Sequence, residues 1–325
     1  MRELFRYKVS PTLFIMITND CNNNCPQCYS QYRKCNTHCI DLGDMIDAVD
    51  RLSPGKVVLT GGEPLLYPER IISFMYYYNA DYRKHWNTTL CTNLLFKELN
   101  RSQSNAISLV DYVQTTYSVD RFKSEDQFYK FIYNIANAKL LLGDDNNKFI
   151  DVNITITEEQ LKEPVEDLMD KLKGMYVDGV GFEQLSYNSS SNKSEEELIE
   201  FYNKTDEYVL EACKQLKEKI PHMENLTFKG WDMALNNGLN SLSCTVCDSG
   251  YCKLLNPDGE ITNGCICLID KNINRKEKFM NHCVDCKYFK YCNMDCERFG
   301  NTCGFMKKTF EYFLEERSKN DGDVE

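Results

Sequence analysis

Two rhythms of apolar and polar residues run along this chain. Short β-branched and aromatic runs recur at 12–18 (TLFIMIT), 56–60 (KVVLT), 88–92, 112–118, 150–156 and 177–185, each of strand length. Between them apolar residues fall at helical spacing, as in Met45, Ile46, Val49 and Leu52, and again in Phe128, Phe131, Ile132 and Ile135. Six strands alternating with helices predict a parallel sheet, open or curled into a barrel. In either form, functional groups gather beyond the C-terminal ends of the strands.

The second half reads differently. Residues 188–193 (NSSSNK) are polar and turn-rich, as in a linker. Ser194 followed by Glu195, Glu196 and Glu197 predicts a capped helix start, with acids at the positive end of the dipole. Leu198, Tyr202, Val209, Ala212 and Leu216 share one face of that helix, and Cys213 borders the stripe as a buried, inert thiol. After Leu242 the periodicity fades and cysteine, glycine and asparagine dominate, the texture of a small domain in which metal sites replace part of a core. Phe305, Met306, Phe310, Phe313 and Leu314 predict a closing helix.

Composition narrows the class. With 325 residues and 42% apolar content the chain can bury a large core, alone or with a smaller domain. Its seventeen cysteines are clustered: five between positions 21 and 39, ten between 244 and 303, and only Cys91 and Cys213 elsewhere. An odd count in a long chain is a poor fit to a secreted disulfide scaffold. The apolar run 13–17 is too short for a signal peptide, and no run approaches transmembrane length. These features predict a cytoplasmic protein without a membrane partner, whose cysteines act as thiolate ligands. A net charge of −11 argues against nucleic acid as a partner and is compatible with a basic peptide or with plain solubility.

Cys21, Cys25 and Cys28 form a C-x3-C-x2-C motif just beyond the first predicted strand. Three thiolates on one loop can hold three corners of a cubane and leave one iron open, and an open metal position marks a reactive site. A zinc loop is the alternative on spacing alone. A second motif, Gly61-Gly62-Glu63-Pro64, closes the second predicted strand; paired glycines admit close backbone approach, and a carboxylate there can accept from an ammonium group. Together the two motifs resemble those of the radical SAM superfamily. The resemblance implies a partial (β/α)6 TIM-like barrel and a [4Fe–4S] cluster on Cys21, Cys25 and Cys28. It further implies S-adenosyl-L-methionine (SAM) bound at the open iron and held by Gly61, Gly62, Glu63 and Pro64. Tyr29 is the candidate adenine contact; Gln27 stands where the family usually has an aromatic residue. Cys91-Thr92-Asn93 resembles the family's third strand end, with Leu94 in place of glycine. Ser118 and Asn153 are candidate cofactor-binding positions on the fourth and fifth strands.

The C-terminal array, Cys283-x2-Cys286-x5-Cys292-x3-Cys296 and then Cys303, resembles the SPASM domain, which holds two auxiliary [4Fe–4S] clusters. The resemblance assigns Cys247, Cys252, Cys265 or Cys267, and Cys296 to one cluster, and Cys283, Cys286, Cys292 and Cys303 to the other. Cys244 is an alternative to Cys247, and four-thiolate zinc sites are an alternative to both clusters. Cys35 and Cys39, flanking His38, match no motif and read as free thiols. The expected organisation is a barrel over 1–190, a linking helical region over 191–240 and a cluster domain over 241–325.

Three functions follow from this reading. The first is hydrogen abstraction from a peptide or protein by a 5′-deoxyadenosyl radical, ending in a thioether or carbon–carbon cross-link, an epimerised residue or a formylglycine-type oxidation. The second is dehydrogenation of a small molecule. The third is a non-catalytic metal protein, against which the GGEP turn argues. The first two require a reducing partner such as flavodoxin or ferredoxin. Because twenty residues precede Cys21, leader-peptide recognition is expected from a separate protein or another surface.

Overall fold

The structure, a computed structural model, describes residues 11–26, 28, 38–80, 86–143, 147–185, 193–236, 252–263, 286–288 and 303–322. The chain divides into two compact units. The first takes in Met1–Thr115, Asn137–Ile150 and Thr245–Lys271, and the second takes in Thr116–Ala136, Asp151–Cys244 and Asn272–Glu325.

In the first unit, strand β1 (Thr12–Thr18) lies between two parallel neighbours, β2 (Lys56–Gly61) and a late strand, β8 (Cys252–Leu255). Strand β3 (Asn87–Cys91) follows β2, and β4 (Tyr112–Tyr117) follows β3, all parallel. A strand hydrogen-bonded on both sides in a parallel sheet is covered on both faces, which is why β1 is an almost unbroken apolar run. Leu13, Ile15, Met16 and Ile17 are fully buried. Helix α1 (Leu42–Leu52) is capped by Asp41, whose side chain accepts from the Gly43 amide, and buries Met45, Ala48 and Val49. Helix α2 (Pro68–Ala80) buries Ile71, Phe74, Met75 and Tyr78. The Tyr78 hydroxyl donates to the Ile46 carbonyl and to Asp50 of α1, at 3.1 and 2.9 Å, so the one polar atom of a buried ring is satisfied.

Strand β8 lay outside the sequence reading. It is four residues long, and its pairing partner β9 (Ile261–Asn263) runs antiparallel after a turn at Gly259, where φ is +82°. A run this short carries no period; only the pairing of Cys252 through Leu255 with Thr12 through Ile15 reveals it.

In the second unit, β5 (Phe149–Ile156) pairs in parallel with β6 (Gly179–Gln184), and β6 with the short β7 (Glu224–Asn225). Strand β5 alternates strictly: Ile150, Val152, Ile154 and Ile156 are buried, whereas Phe149, Asp151, Asn153 and Thr155 face the other side, half-buried. Helices α4 (Glu125–Leu142), α5 (Val165–Gly174), α6 (Glu195–Lys219), α7 (Leu226–Asn236) and α8 (Lys307–Gly322) complete the chain, after α3 (Arg101–Ser108) of the first unit. Ser194 caps α6 as expected, and with Glu197 it forms a full capping box. Cys213 is buried on α6, accepts from the Asn225 amide at 3.2 Å, and has its thiol pushed up to about 12 by burial.

The closing helix α8 is held by Asp206 of α6. One carboxylate oxygen accepts from the Thr309 amide and hydroxyl, and the other accepts from the Lys308 amide. These are the orphan donors of a helix N-terminus, satisfied across a sequence separation of about a hundred residues. Among the described residues, no helix is long and apolar enough to cross a membrane.

Candidate active site

The chain leaves the sheet at Thr18 and returns to it at Cys39 and Ile40. Thr18 and Cys39 form an antiparallel bridge, and the Ile40 amide donates to the Ile17 carbonyl at 2.9 Å. The Thr18 hydroxyl donates to the His38 carbonyl and accepts from the Asp20 amide. Both ends of the stretch carrying Cys21, Cys25 and Cys28 are thus fixed at the same strand end. Asp20 is itself clamped: the Tyr67 hydroxyl donates to it at 2.6 Å, and the His38 ring stands 3.3 Å away. The Tyr67 hydrogen bond, with His38 adding to it, holds the Asp20 carboxyl below the ordinary carboxylate range despite partial desolvation.

The GGEP turn lies directly against this segment. The Gly62 amide donates to the Thr18 carbonyl at 2.7 Å and the Glu63 amide to the Asp20 carbonyl at 2.8 Å. The glycines are what permits the approach. A Cβ on Gly61, where φ is +146°, would stand 2.4 Å from the Thr18 oxygen, and one on Gly62 would stand 2.2 Å from the Asp20 oxygen. Beyond Pro64 the turn is secured by Gln103. As the third residue of an Asn100 capping box, Gln103 accepts from the Asn100 amide and donates to the Leu65 carbonyl.

Glu63 takes an internal place. The side chain that the sequence offered to an ammonium group is fully buried and engaged by three donors of the chain itself. The Leu65 amide and the Thr92 hydroxyl donate to one oxygen at 2.9 and 2.7 Å, and the Asn93 amide donates to the other at 2.6 Å. The carboxylate therefore ties the end of β2 to the end of β3. The next residue, Leu94, has φ of +52° and is fully buried. It adopts the left-handed conformation that a glycine would adopt at no cost, and burial of its side chain offsets a strain of about 1–2 kcal/mol. Leu94→Gly is therefore expected to be less destabilising than Leu94→Ala, by about 1 kcal/mol, because only glycine relieves the strain. Chemical unfolding of both variants checks this; the usual order, with alanine the milder change, would refute it.

Asn93 joins this frame to the cysteine loop. Its side-chain oxygen accepts from the Leu95 amide at 2.7 Å, and its amide nitrogen donates to Asn22 Oδ1 at 2.7 Å and to Cys21 Sγ at 3.7 Å. Asn22 in turn donates to the Leu95 carbonyl. Asn23 donates through its side chain to Cys25 Sγ at 3.2 Å and through its backbone to Cys21 Sγ at 3.5 Å. Desolvation pushes the Cys21 thiol up; the Asn23 hydrogen bond works against this, and Glu63, Cys25 and Cys28 add to it. The asparagines of the run Asn19-Asp20-Cys21-Asn22-Asn23-Asn24-Cys25 were visible as loop formers; the donation of Asn23 to two sulfurs was not. Nor did any periodicity point to Asp20, Tyr67 or Gln103.

Among the described residues, no three His, Cys, Asp or Glu side chains converge as around a single metal ion. The donor set does fit a [4Fe–4S] cluster. It offers three thiols on one loop, near enough for their charges to act on one another, with amide donors already directed at two of the sulfurs. Tyr29 and Cys35 lie outside the described residues. Cys39 is half-buried with a free thiol.

Ser118 and Asn153 belong to the second unit. Ser118 follows β4 and is fully buried. The Val119 amide beside it donates to Gln160, whose side-chain nitrogen donates to Glu163 and to the Tyr208 hydroxyl, at 2.6 and 3.1 Å. Lys171 pairs with Glu163 and donates to the Tyr117 hydroxyl at 3.1 Å. Desolvation raises the Tyr117 phenol far above its ordinary value, with the Glu163 carboxylate adding to it. Asn153 donates to Glu183 at 2.9 Å, and a side chain on Gly181 would stand 2.5 Å from Asn153 Oδ1, so that glycine makes room for the amide. Of the auxiliary candidates, Cys252 is buried at the start of β8, and Cys286 and Cys303 are half-buried. Cys244, Cys247, Cys265, Cys267, Cys283, Cys292 and Cys296 lie outside the described residues.

Residues 11–133 match the model of a 4Fe–4S single cluster domain, a stretch that contains the three loop cysteines and the GGEP turn. No curated protein matches the sequence. Among solved structures, native anSMEcpe with bound AdoMet superposes with a TM-score of 0.67 at 15% identity, over 97% of this chain and all of that one (100%). The same protein with AdoMet and the Cp18Cys peptide gives 0.64 at 16% identity, over 97% and 99%. Streptococcus suis SuiB bound to its precursor peptide SuiA gives 0.54 at 16% identity, over 89% of this chain and 65% of that one. anSMEcpe is an anaerobic sulfatase-maturating radical SAM/SPASM enzyme and SuiB a radical SAM enzyme of peptide modification. The expected α/β architecture, with its parallel strands and barrel-like winding, agrees with these superpositions.

Proposed function

We propose that this chain, which has the radical SAM fold, is an iron–sulfur enzyme that cleaves SAM reductively and uses the resulting radical on a peptide or protein. One observation carries the reading: the GGEP turn is hydrogen-bonded to the very segment that bears Cys21, through Gly62 and Glu63. A turn built for close backbone approach beside a three-thiolate loop is what a cluster-bound ligand requires.

Cys21, Cys25 and Cys28 would hold the cluster. A [4Fe–4S] cluster bound there would supply the single electron that splits the sulfonium of SAM into methionine and a 5′-deoxyadenosyl radical. Everything else falls to the chain. Gly61, Gly62, Glu63 and Pro64 shape the wall beside the ligand, with Glu63 acting from behind by fixing Thr92 and Asn93. Tyr29 offers a ring for adenine, and Ser118, after β4, and Asn153, within β5, are the polar candidates that the resemblance assigns to SAM. The radical then removes a hydrogen atom from the substrate. A peptide substrate is supported by anSMEcpe and SuiB, which fold alike and whose structures hold peptides. Electrons come from a cytoplasmic flavodoxin or ferredoxin. The later cysteines, Cys247, Cys252, Cys265 or Cys267, Cys283, Cys286, Cys292, Cys296 and Cys303, hold two auxiliary clusters.

Anaerobically reconstituted protein is expected to carry about twelve irons, four for each of three cubanes. With dithionite and SAM it is expected to release 5′-deoxyadenosine, and a reconstituted sample that releases none would rule the reading out. A cysteine-containing peptide encoded beside this chain is the substrate to offer first, read by mass change.

A further inference from the structure

The geometry points to Asn93 and Asn23 as the residues that set the reduction potential of the cluster on Cys21, Cys25 and Cys28, by donating side-chain N–H bonds to two of its sulfurs. This inference rests on the proposed function. It adds a role that neither the sequence motifs nor the structural likeness assigns.

Reduction adds an electron to a cluster and makes its sulfurs better hydrogen-bond acceptors. A fixed N–H aimed at a ligand sulfur therefore stabilises the reduced state more than the oxidised one and raises the potential. The effect depends on the donor being held, and here both amides are. Asn93 has every polar atom of its amide committed: the oxygen to Leu95, one N–H to Asn22 and the other to Cys21. Its backbone is fixed by Glu63 on one side and by the left-handed Leu94 on the other. Asn23 reaches Cys25 at 3.2 Å from within the same loop. The two donors come from different places, one from the end of β3 and one from the loop itself.

The arrangement also couples the GGEP turn to the metal. Glu63 holds the Asn93 backbone, and the Asn93 side chain touches Cys21, giving a chain of two contacts from the turn to a ligand sulfur. Asn93 and Asn23 are positioning residues in this scheme; neither touches substrate.

The test is a redox titration of the reconstituted full-length protein, followed by the electron paramagnetic resonance signal that SAM perturbs, which separates this cluster from any other. Wild-type protein lacking a SAM-perturbable signal would sink the proposed function itself. With that signal present, Asn23→Ala and Asn93→Ala are each expected to lower the midpoint potential, and Asn93→Asp is expected to lower it further by placing a carboxylate against Cys21. Where an Asn93 variant fails to load iron, Asn23→Ala decides alone. A variant that carries the wild-type iron content and titrates at the wild-type potential overturns the inference while leaving the proposed function intact.

Discussion

Replacing Glu63 by alanine is expected to cost about 4–5 kcal/mol of stability and to abolish cluster loading. Three donors lose their acceptor at once: the Leu65 amide, the Thr92 hydroxyl and the Asn93 amide. Each buried group left unpaired costs about 1–3 kcal/mol, and the carboxylate site is fully buried, out of reach of replacing water. A loss of this size is rare for one substitution and is a large share of the stability of an ordinary domain. Glu63→Gln separates the two consequences. It keeps the volume but turns an N–H toward one of the donors, so about 2–3 kcal/mol is expected to go while the fold survives. Denaturant unfolding of the apo-protein reads the first effect and iron content after reconstitution the second. Wild-type stability in Glu63→Ala would mean that the carboxylate is not the tie between β2 and β3 that it is taken to be.

Gly62→Ala is the second large effect. The new methyl would lie 2.2 Å from the Asp20 carbonyl oxygen and 2.7 Å from that of Asn19. Both are backbone atoms, so no side-chain rotation relieves the clash. About 3 kcal/mol of destabilisation is expected, with the Asp20–Cys21 segment pushed away from the turn and cluster loading reduced at least tenfold. Gly174→Ala at the end of α5 supplies the contrast: among the described residues nothing lies within 4 Å of the added carbon, and a change of no more than about 1 kcal/mol is expected. Unfolding midpoints and iron content of the two variants decide the matter. Equal behaviour of the two would show that the close approach at Gly62 is not maintained in solution.

The strands were largely legible from sequence because β1 and β2 are near-continuous apolar runs and β4 and β5 alternate, both of them patterns that a short window carries. The run at 12–18 coincides with β1, and those at 56–60, 88–92, 112–118, 150–156 and 177–185 fall within two residues of β2 through β6 at either end. The capped start of α6 was legible for a local reason, since a capping box is written in four adjacent residues. The closing helix was foreseen from its aromatic stripe, but it begins at Lys307 and runs to Gly322, because its start is set by Asp206 in another helix. Strand β8 was missed for the same kind of reason: four residues gain strand character only from the neighbour they pair with. The cluster site divides likewise. Spacing exposed the cysteines and the GGEP turn. The roles of Glu63, Asn93 and Tyr67 depend on contacts between segments thirty to seventy residues apart, which no local pattern encodes.

The pinning of residues 18 and 39 to one strand end has a consequence for the order of assembly. A segment of about twenty residues whose ends already meet has its closure entropy, of order 3 kcal/mol, settled by the sheet rather than by the metal. Folding of the sheet and maturation of the cluster then become separable events. The sheet can form first on β1, β2 and β3, and iron can enter afterwards through a change confined to one loop. Cluster loss, by oxidation for example, would on the same grounds leave a folded protein that can be repaired in place. Amide hydrogen exchange would register this division as slow exchange in β1 through β3 with and without metal, and, around the first cluster, metal-dependent protection in the segment that follows β1.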